Sequence, residues 1–279
     1  MSIKCYVCER INEILSGFQC VSDQGARTEM SEMDKEKHYI RKHLWQRITK
    51  AIKTFELIQD GDRIGVGLSG GMDSAILLFA LTTLARRAPV SFQVTGLHVD
   101  SGFGVDMRPI QDLCEQVGVE FHVTRLPIAA ALESREPGSS ACSLCAYLRR
   151  GALNSLARAS GCNKVALGHH SDDAVETLFL NMLYEGRIAT LKPVAYQDRS
   201  GITLIRPLIL VRKEAIERAV SYYGLPRVKN PCPYGNQSKR SLVRACLSRL
   251  EAAEPGAVSR LIASLSNVDL DSLWIRSNH

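Results

Sequence analysis

Ile64-Gly65-Val66-Gly67-Leu68-Ser69-Gly70-Gly71-Met72-Asp73-Ser74 is the stretch that decides the fold. Ile64, Val66 and Leu68 alternate with other residues at the period of a short strand, and the alternation stops at a glycine pair. A run of helical character, Ala75 to Arg87, follows at once. A strand that enters a helix through such a turn gathers unpaired backbone N–H groups and the positive end of the helix dipole at one point, which suits a phosphate. Glycines let the backbone close around the oxygens with no Cβ in the way. Ser69 and Ser74 add hydroxyls, and Asp73 is suited to hold Mg2+ against the same oxygens. A glycine pair alone would also fit an ordinary tight turn; the whole hexapeptide Ser69 to Ser74, between strand and helix, argues against that.

Working outward, the same alternation of elements repeats. Strands at Ser91 to Val99, Glu120 to Arg125 and Lys164 to Leu167 are separated by helices at Met107 to Val117 and Leu144 to Ala159, and a helix at Asp172 to Tyr184 follows. Strands that alternate with helices predict an α/β fold, a doubly wound parallel sheet covered on both faces, with ligands at the carboxyl ends of the strands. Before it, Leu44, Ile48, Ile52 and Phe55 recur at helical spacing among Arg41, Lys42, Arg47, Lys50 and Lys53, which predicts a basic amphipathic lead-in helix. Residues 1–37 read as a small cysteine-bearing appendage with a linker, 38–60 as the lead-in, and 61–210 as the nucleotide-binding domain. Residues 211–279, beyond a strand near Leu204 to Leu208, read as a helical carboxyl-terminal region.

A chain of 279 residues with 45% hydrophobic content can fill one large core, which excludes a disordered or fibrous protein. No stretch has the eighteen or so consecutive apolar residues of a membrane span, and Met1 to Cys20 lacks the apolar middle of a signal peptide, so a cytoplasmic protein with no membrane partner is expected. The net charge of +6 is uneven: between Arg199 and Arg249 eleven Lys or Arg face only Glu214 and Glu217, a balance that fits either a solvated face or a polyanionic partner.

Nine cysteines without an export signal read as thiols or metal ligands. Two Cys-x-x-Cys pairs occur, Cys5 with Cys8 and Cys142 with Cys145. The second leads into Leu148-Arg149-Arg150-Gly151, and its spacing alone fits zinc, a redox disulfide or an iron-sulfur cluster. Gly168-His169-His170-Ser171-Asp172-Asp173 follows a strand and opens a helix; its acids could complement the helix dipole or join the histidines around a metal.

The hexapeptide resembles the PP-loop, Ser-Gly-Gly-x-Asp-Ser, of the N-type ATP pyrophosphatases, and differs from a Walker loop in its shorter glycine spacing and lack of Lys. That resemblance implies pyrophosphate release and an adenylated carbonyl. The segment Gly168 to Asp173 is similar to that of the tRNA thiolation branch. Together with Cys142, Cys145 and Cys232, in Asn230-Pro231-Cys232-Pro233-Tyr234-Gly235, it resembles the TtcA/TtuA family of PP-loop tRNA sulfurtransferases over most of the chain from about residue 42.

The resemblance implies ATP contacts at Leu68, Ser69, Gly70, Gly71, Asp73, Ser74, His98, Gly168, Asp172 and Asp173. It also implies a 4Fe-4S cluster on Cys142, Cys145 and Cys232, for which a structural zinc is the alternative, with Asp73 and Arg149 acting beside it. His98 reads equally well as a packed strand-end histidine. Cys5, Cys8, Cys20 and His38 resemble the zinc ribbon of the TtuA branch, which implies a zinc site. Implied partners are tRNA, a sulfide donor such as a cysteine desulfurase, and a second copy of the chain in a homodimer. The family usually has Lys where Met72 stands, so that contact is lost or supplied elsewhere, for instance by Arg149. The same chemistry on a free base, and a nucleotide- or metal-binding regulator without turnover, are the competing readings.

Overall fold

The structure is a computed structural model that describes residues 31–133, 141–228, 231 and 239–274. These described residues divide into two compact units, one within 1–170 and 192–235 and one within 171–191 and 236–279.

The first unit is built on a six-stranded sheet of β1 (Asp62–Gly67), β2 (Phe92–Asp100), β3 (Phe121–Arg125), β4 (Lys164–Ala166), β5 (Val194–Gln197) and β6 (Ile202–Ile205). Their order is β3-β2-β1-β4-β6-β5, parallel throughout except for the antiparallel edge pair β5–β6. The chain winds from β1 to β3 in one direction and restarts at β4 on the other side of β1. The order therefore reverses between β1 and β4, where open α/β sheets bind ligands.

Seven helices of this unit are described, most of them where the pattern predicts a helix, in part with shifted ends, and α5 where none is predicted: α1 (Glu32–Ile40), α2 (Gln46–Thr54), α3 (Met72–Ala85), α4 (Arg108–Val117), α5 (Ile128–Glu133), α6 (Ala141–Ala159) and, after the sheet, α8 (Lys213–Tyr223). One turn of π-helix, Arg41–Trp45, joins α1 to α2. Pleating sends alternate residues of β1 to opposite faces. Gly65 and Gly67 lie under Cys162, Leu97 and Leu153, where Ala157 of α6 packs with Val165, Ile202 and Leu204. Ile64 and Val66 turn the other way, and both are fully buried. The central helix α3 is buried without interruption from Ser74 to Thr83, because its residues are apolar on every side.

The lead-in buries Ile40, Leu44, Trp45, Ile48 and Ala51 and leaves Arg41, Lys42, Arg47, Lys50 and Lys53 exposed. It is tied to α8 by Trp45 Nε1, which donates to Tyr223 Oη at 2.9 Å, and by Arg218, whose guanidinium meets Glu36 at 3.0 Å and lies 3.5 Å over the Tyr39 ring. The helix begins at Glu32, earlier than its periodicity predicts. Only Ile40 of α1 is buried, so its polar sequence carries little apolar signal, while Ser31 caps it by accepting from the Asp34 amide at 3.1 Å.

The second unit packs α7 (Ser171–Glu185) on α9 (Lys239–Ala253) and α10 (Ala257–Ser264) through Val175, Val243, Leu247 and Val258. Among the described residues no helix is long and apolar enough to cross a membrane.

Candidate active site

The turn after β1 is braced by its own side chains. The Ser69 amide donates to Ser74 Oγ at 3.2 Å, Ser74 Oγ donates to the Gly71 carbonyl at 2.8 Å, and the Gly71 amide donates to Ser69 Oγ at 3.3 Å. Ser74 is thus buried and engaged within the turn, whereas Ser69 is exposed. Gly70 sits at φ +84°, a conformation that side chains disfavour, and a Cβ there would lie 3.1 Å from Val228 Cβ. Val228 also donates its amide to the Gly70 carbonyl at 2.9 Å, so the segment after α8 lies against the turn. Gly71 caps α3 with no side-chain cap, and only Ser69 Oγ, at 3.4 Å, would meet a Cβ placed on it. The first-turn amides of α3 have no intrahelical acceptor, and Asp73 is half-buried among them. The backbone here is a cradle open to an anion.

Neighbouring strand ends converge on it. His98 is buried in β2 with Nδ1 2.8 Å from the Leu68 carbonyl; since a carbonyl only accepts, Nδ1 carries the hydrogen. His98 therefore fixes the residue that enters the turn. Gly168, after β4, comes so close to α3 that a Cβ would meet the Asp73 backbone at 3.0 Å. Asp100, at the end of β2, accepts from the Gly102 amide at 2.9 Å and from Arg125 Nε at 3.0 Å, and the amide first and Arg125 next hold its carboxyl below the usual range.

Cys145 is 9% exposed on α6, beside Ile128 in an apolar patch with Phe103, Leu126, Leu144 and Leu148. Phe103, Leu126 and Ile128 all follow the carboxyl ends of β2 and β3, so this thiol lies on the same edge of the sheet as the phosphate turn. Arg149, one helical turn on, brings Nη1 to 3.9 Å from its sulfur. Cys142 belongs to the same helix, but its side chain, like Cys232 and the amino-terminal Cys5, Cys8 and Cys20, lies outside the described residues. His38 is exposed on α1.

The solitary thiols behave differently. Burial pushes the Cys114 thiol up to about 12 and raises Cys162 as well, which marks both as core residues. Cys246 is exposed on α9.

In the second unit, Asp172 and Asp173 stand in the first turn of α7. Ser171 Oγ donates to Asp172 at 3.3 Å, and Arg240 reaches both Asp173 at 3.4 Å and Glu176 at 3.3 Å. Arg244 adds a two-pronged contact to the buried Glu176, at 2.8 and 3.0 Å. Among the described residues no group of three or more His, Cys, Asp or Glu is placed to hold a metal.

Sequence reasoning assigned no role to Asp100, Val228 or Arg206. The one visible signal was Arg206 itself, an arginine in the alternating row Ile202, Leu204, Arg206.

Residues 40–251 match the PP-loop domain family. A tRNA-cytidine(32) 2-sulfurtransferase of Pelobacter propionicus is 41% identical over 79% of this chain and 84% of its own, and one of Syntrophotalea carbinolica is 40% identical over 78% and 86%. Among solved structures, the U34-tRNA thiolase NcsA of Methanococcus maripaludis, described with its 4Fe-4S cluster, superposes with a TM-score of 0.67 at 23% identity, covering 83% of this chain and 79% of that one, which speaks to the fold. The chain accordingly belongs to the PP-loop family, in its tRNA sulfurtransferase branch.

Proposed function

We infer that this enzyme uses ATP to replace the C2 carbonyl oxygen of a pyrimidine in tRNA with sulfur, and that the pyrimidine is cytidine 32, the nucleotide in the names of relatives about 40% identical to it. The observation that carries the reading is the shared edge: a phosphate turn at the end of β1 and a buried thiol, Cys145, on the same side of the sheet.

The first-turn amides of α3 and the Gly70-Gly71 backbone would hold the phosphates of ATP, with Asp73 in reach of a Mg2+ on them. The C2 oxygen attacks the α-phosphorus, pyrophosphate leaves, and a poor leaving group becomes AMP. A 4Fe-4S cluster on Cys142, Cys145 and Cys232, whose soft thiolate donors suit it, would supply the sulfide that displaces AMP. Cys232 is four residues beyond Val228, a stretch of chain that spans at most about 14 Å, and Val228 is bonded to Gly70. The apolar patch around Cys145 keeps water from that side, and Arg149 supplies a positive charge beside the sulfur. The exposed bases of the lead-in suit a tRNA backbone. A zinc on Cys5, Cys8, Cys20 and His38, a homodimer and a cysteine desulfurase as sulfide source complete the proposal.

The test is mass spectrometry of nucleosides from tRNA treated anaerobically with the iron-loaded protein, ATP, Mg2+ and sulfide. Thiocytidine that depends on ATP is expected. Thiouridine would move the target to another nucleotide, and absence of any thionucleoside would refute the reading.

A further inference from the structure

The carboxyl end of β6 holds a buried cation that no described acid answers. Ile202 and Leu204 face Leu153, Leu156 and Ala157 of α6, and the pleat sends Arg206, next in the row, to that same side. Arg206 is 9% exposed. Its Nη1 donates to the Lys192 carbonyl, and its Nε meets no acceptor among the described residues. No carboxylate among those residues pairs with it, and the charge it feels is of its own sign: burial and then Arg150 push its pKa down. Arg150 and Lys192 are themselves exposed.

Other arginines of the chain are treated differently. Arg218 has Glu36, and Arg240 and Arg244 share Glu176. A guanidinium taken out of water without an anion is costly, and since no described residue supplies that anion, one arriving from solution would answer it.

The position narrows the anion. β6 is the second neighbour of β1, so Arg206 stands about 10 Å along the sheet from the phosphate turn, at the edge where ligands collect. Leu167, at the end of β4 between them, donates its amide to the Ile205 carbonyl at 3.0 Å and holds that spacing. On the reading above, the amides of the turn would answer the phosphates of the nucleotide, and Arg150 shares α6 with Cys145. We propose that Arg206 and Arg150 form a phosphate subsite at the carboxyl end of β6, which takes a backbone phosphodiester of the RNA substrate and so sets the target nucleotide against Cys145. Two guanidinium groups match the planar, bidentate hydrogen bonding of a phosphodiester. The subsite rests on the tRNA thiolation reading.

Binding of tRNA to the iron-loaded wild type, Arg150→Gln, Arg206→Gln and Arg206→Lys is measured over a salt series. Equilibrium dialysis with a non-hydrolysable ATP analogue and with inorganic pyrophosphate accompanies it. Each Gln variant should bind tRNA at least roughly tenfold more weakly and lower the log–log salt slope by about one. Arg206→Lys should fall between, and neither the analogue nor pyrophosphate should bind differently. Unchanged tRNA binding in Arg150→Gln overturns the subsite, as does a loss confined to the analogue or to pyrophosphate, which would assign the pocket to the nucleotide. A wild type that ignores tRNA overturns the subsite and the thiolation reading together. Should Arg206→Gln fail to fold, Arg150→Gln, altered at an exposed side chain, decides alone.

Discussion

At the amino end of β1, Asp62 accepts from Lys164 Nζ at 2.7 Å, from the Gln59 amide at 2.7 Å and from Asn163 Nδ2 at 2.8 Å, while Lys164 also donates to the Leu57 carbonyl at 3.0 Å. At the opposite end of the same sheet, Arg206 is buried with one carbonyl and a like charge, and the first-turn amides of α3 have no i−4 carbonyl within their own helix. One edge satisfies its buried charge internally and the other leaves donors waiting. Substitutions at the amino edge should therefore move stability, and those at the carboxyl edge should move ligand binding and turnover.

The largest expected effect is at the carboxyl edge. Cys145→Ala should lower thionucleoside formation to background while an ATP analogue still binds. Loss of one buried sulfur should cost only about 1 kcal/mol of stability by denaturant titration. Thiolation at the wild-type rate would remove Cys145 from the chemistry.

Asp62→Ala comes next and inverts the pattern. It strands the Lys164 ammonium in a pocket where the two side chains are 11% and 5% exposed, and removal of one partner from such a pair costs about 3–5 kcal/mol. The affinity for ATP should not change, and a change would break the division between the two edges. The same carboxyl gives a pH signature. Burial raises its pKa, but the bonds from Lys164, Gln59 and Asn163 outweigh that and leave it below the usual 3.8. Its contribution is complete above the unfolded value and disappears as pH falls through the lower folded one. Urea midpoints of wild type and Asp62→Asn should accordingly converge on acidification through that window.

Gly70→Ala should act on both terms, more weakly on each. A side chain at φ +84° costs about 1–2 kcal/mol, and displacement from Val228 should weaken ATP binding and turnover by up to about a hundredfold. An unchanged KM for ATP would show that the turn does not hold the nucleotide.

The contrast between the edges also explains what the sequence could convey. The turn was legible because strand, glycines and helix are consecutive, so a local pattern specifies it. The sheet order was legible as a class for the same reason. The edge strand β5 was not: Val194 and Tyr196 are exposed and the strand has only four residues, so its alternation carries no strong apolar signal. The grouping of α7 with α9 rests on Val175 packed with Val243 and on Glu176 with Arg240 and Arg244, contacts between residues 64 and 68 positions apart, which periodicity does not report. His98 was legible as a strand-end residue, but its role as a brace on Leu68 depends on a bond across 30 residues.

The smallest predicted effect concerns the exposed bases of the lead-in. Arg47 is exposed on α2 at the border of the stripe that buries Ile48 and Ala51, and among the described residues no ion pair holds it. Arg47→Gln removes a charge without disturbing the buried side, so stability should stay within about 0.5 kcal/mol. If the tRNA backbone runs along this helix, the slope of log affinity against log salt should fall by about one. Thiolation at saturating tRNA should be unaffected, because a phosphate contact far from the reacting base contributes to binding in ground and transition states alike. A reduced rate at saturation would instead draw the lead-in into the catalytic edge.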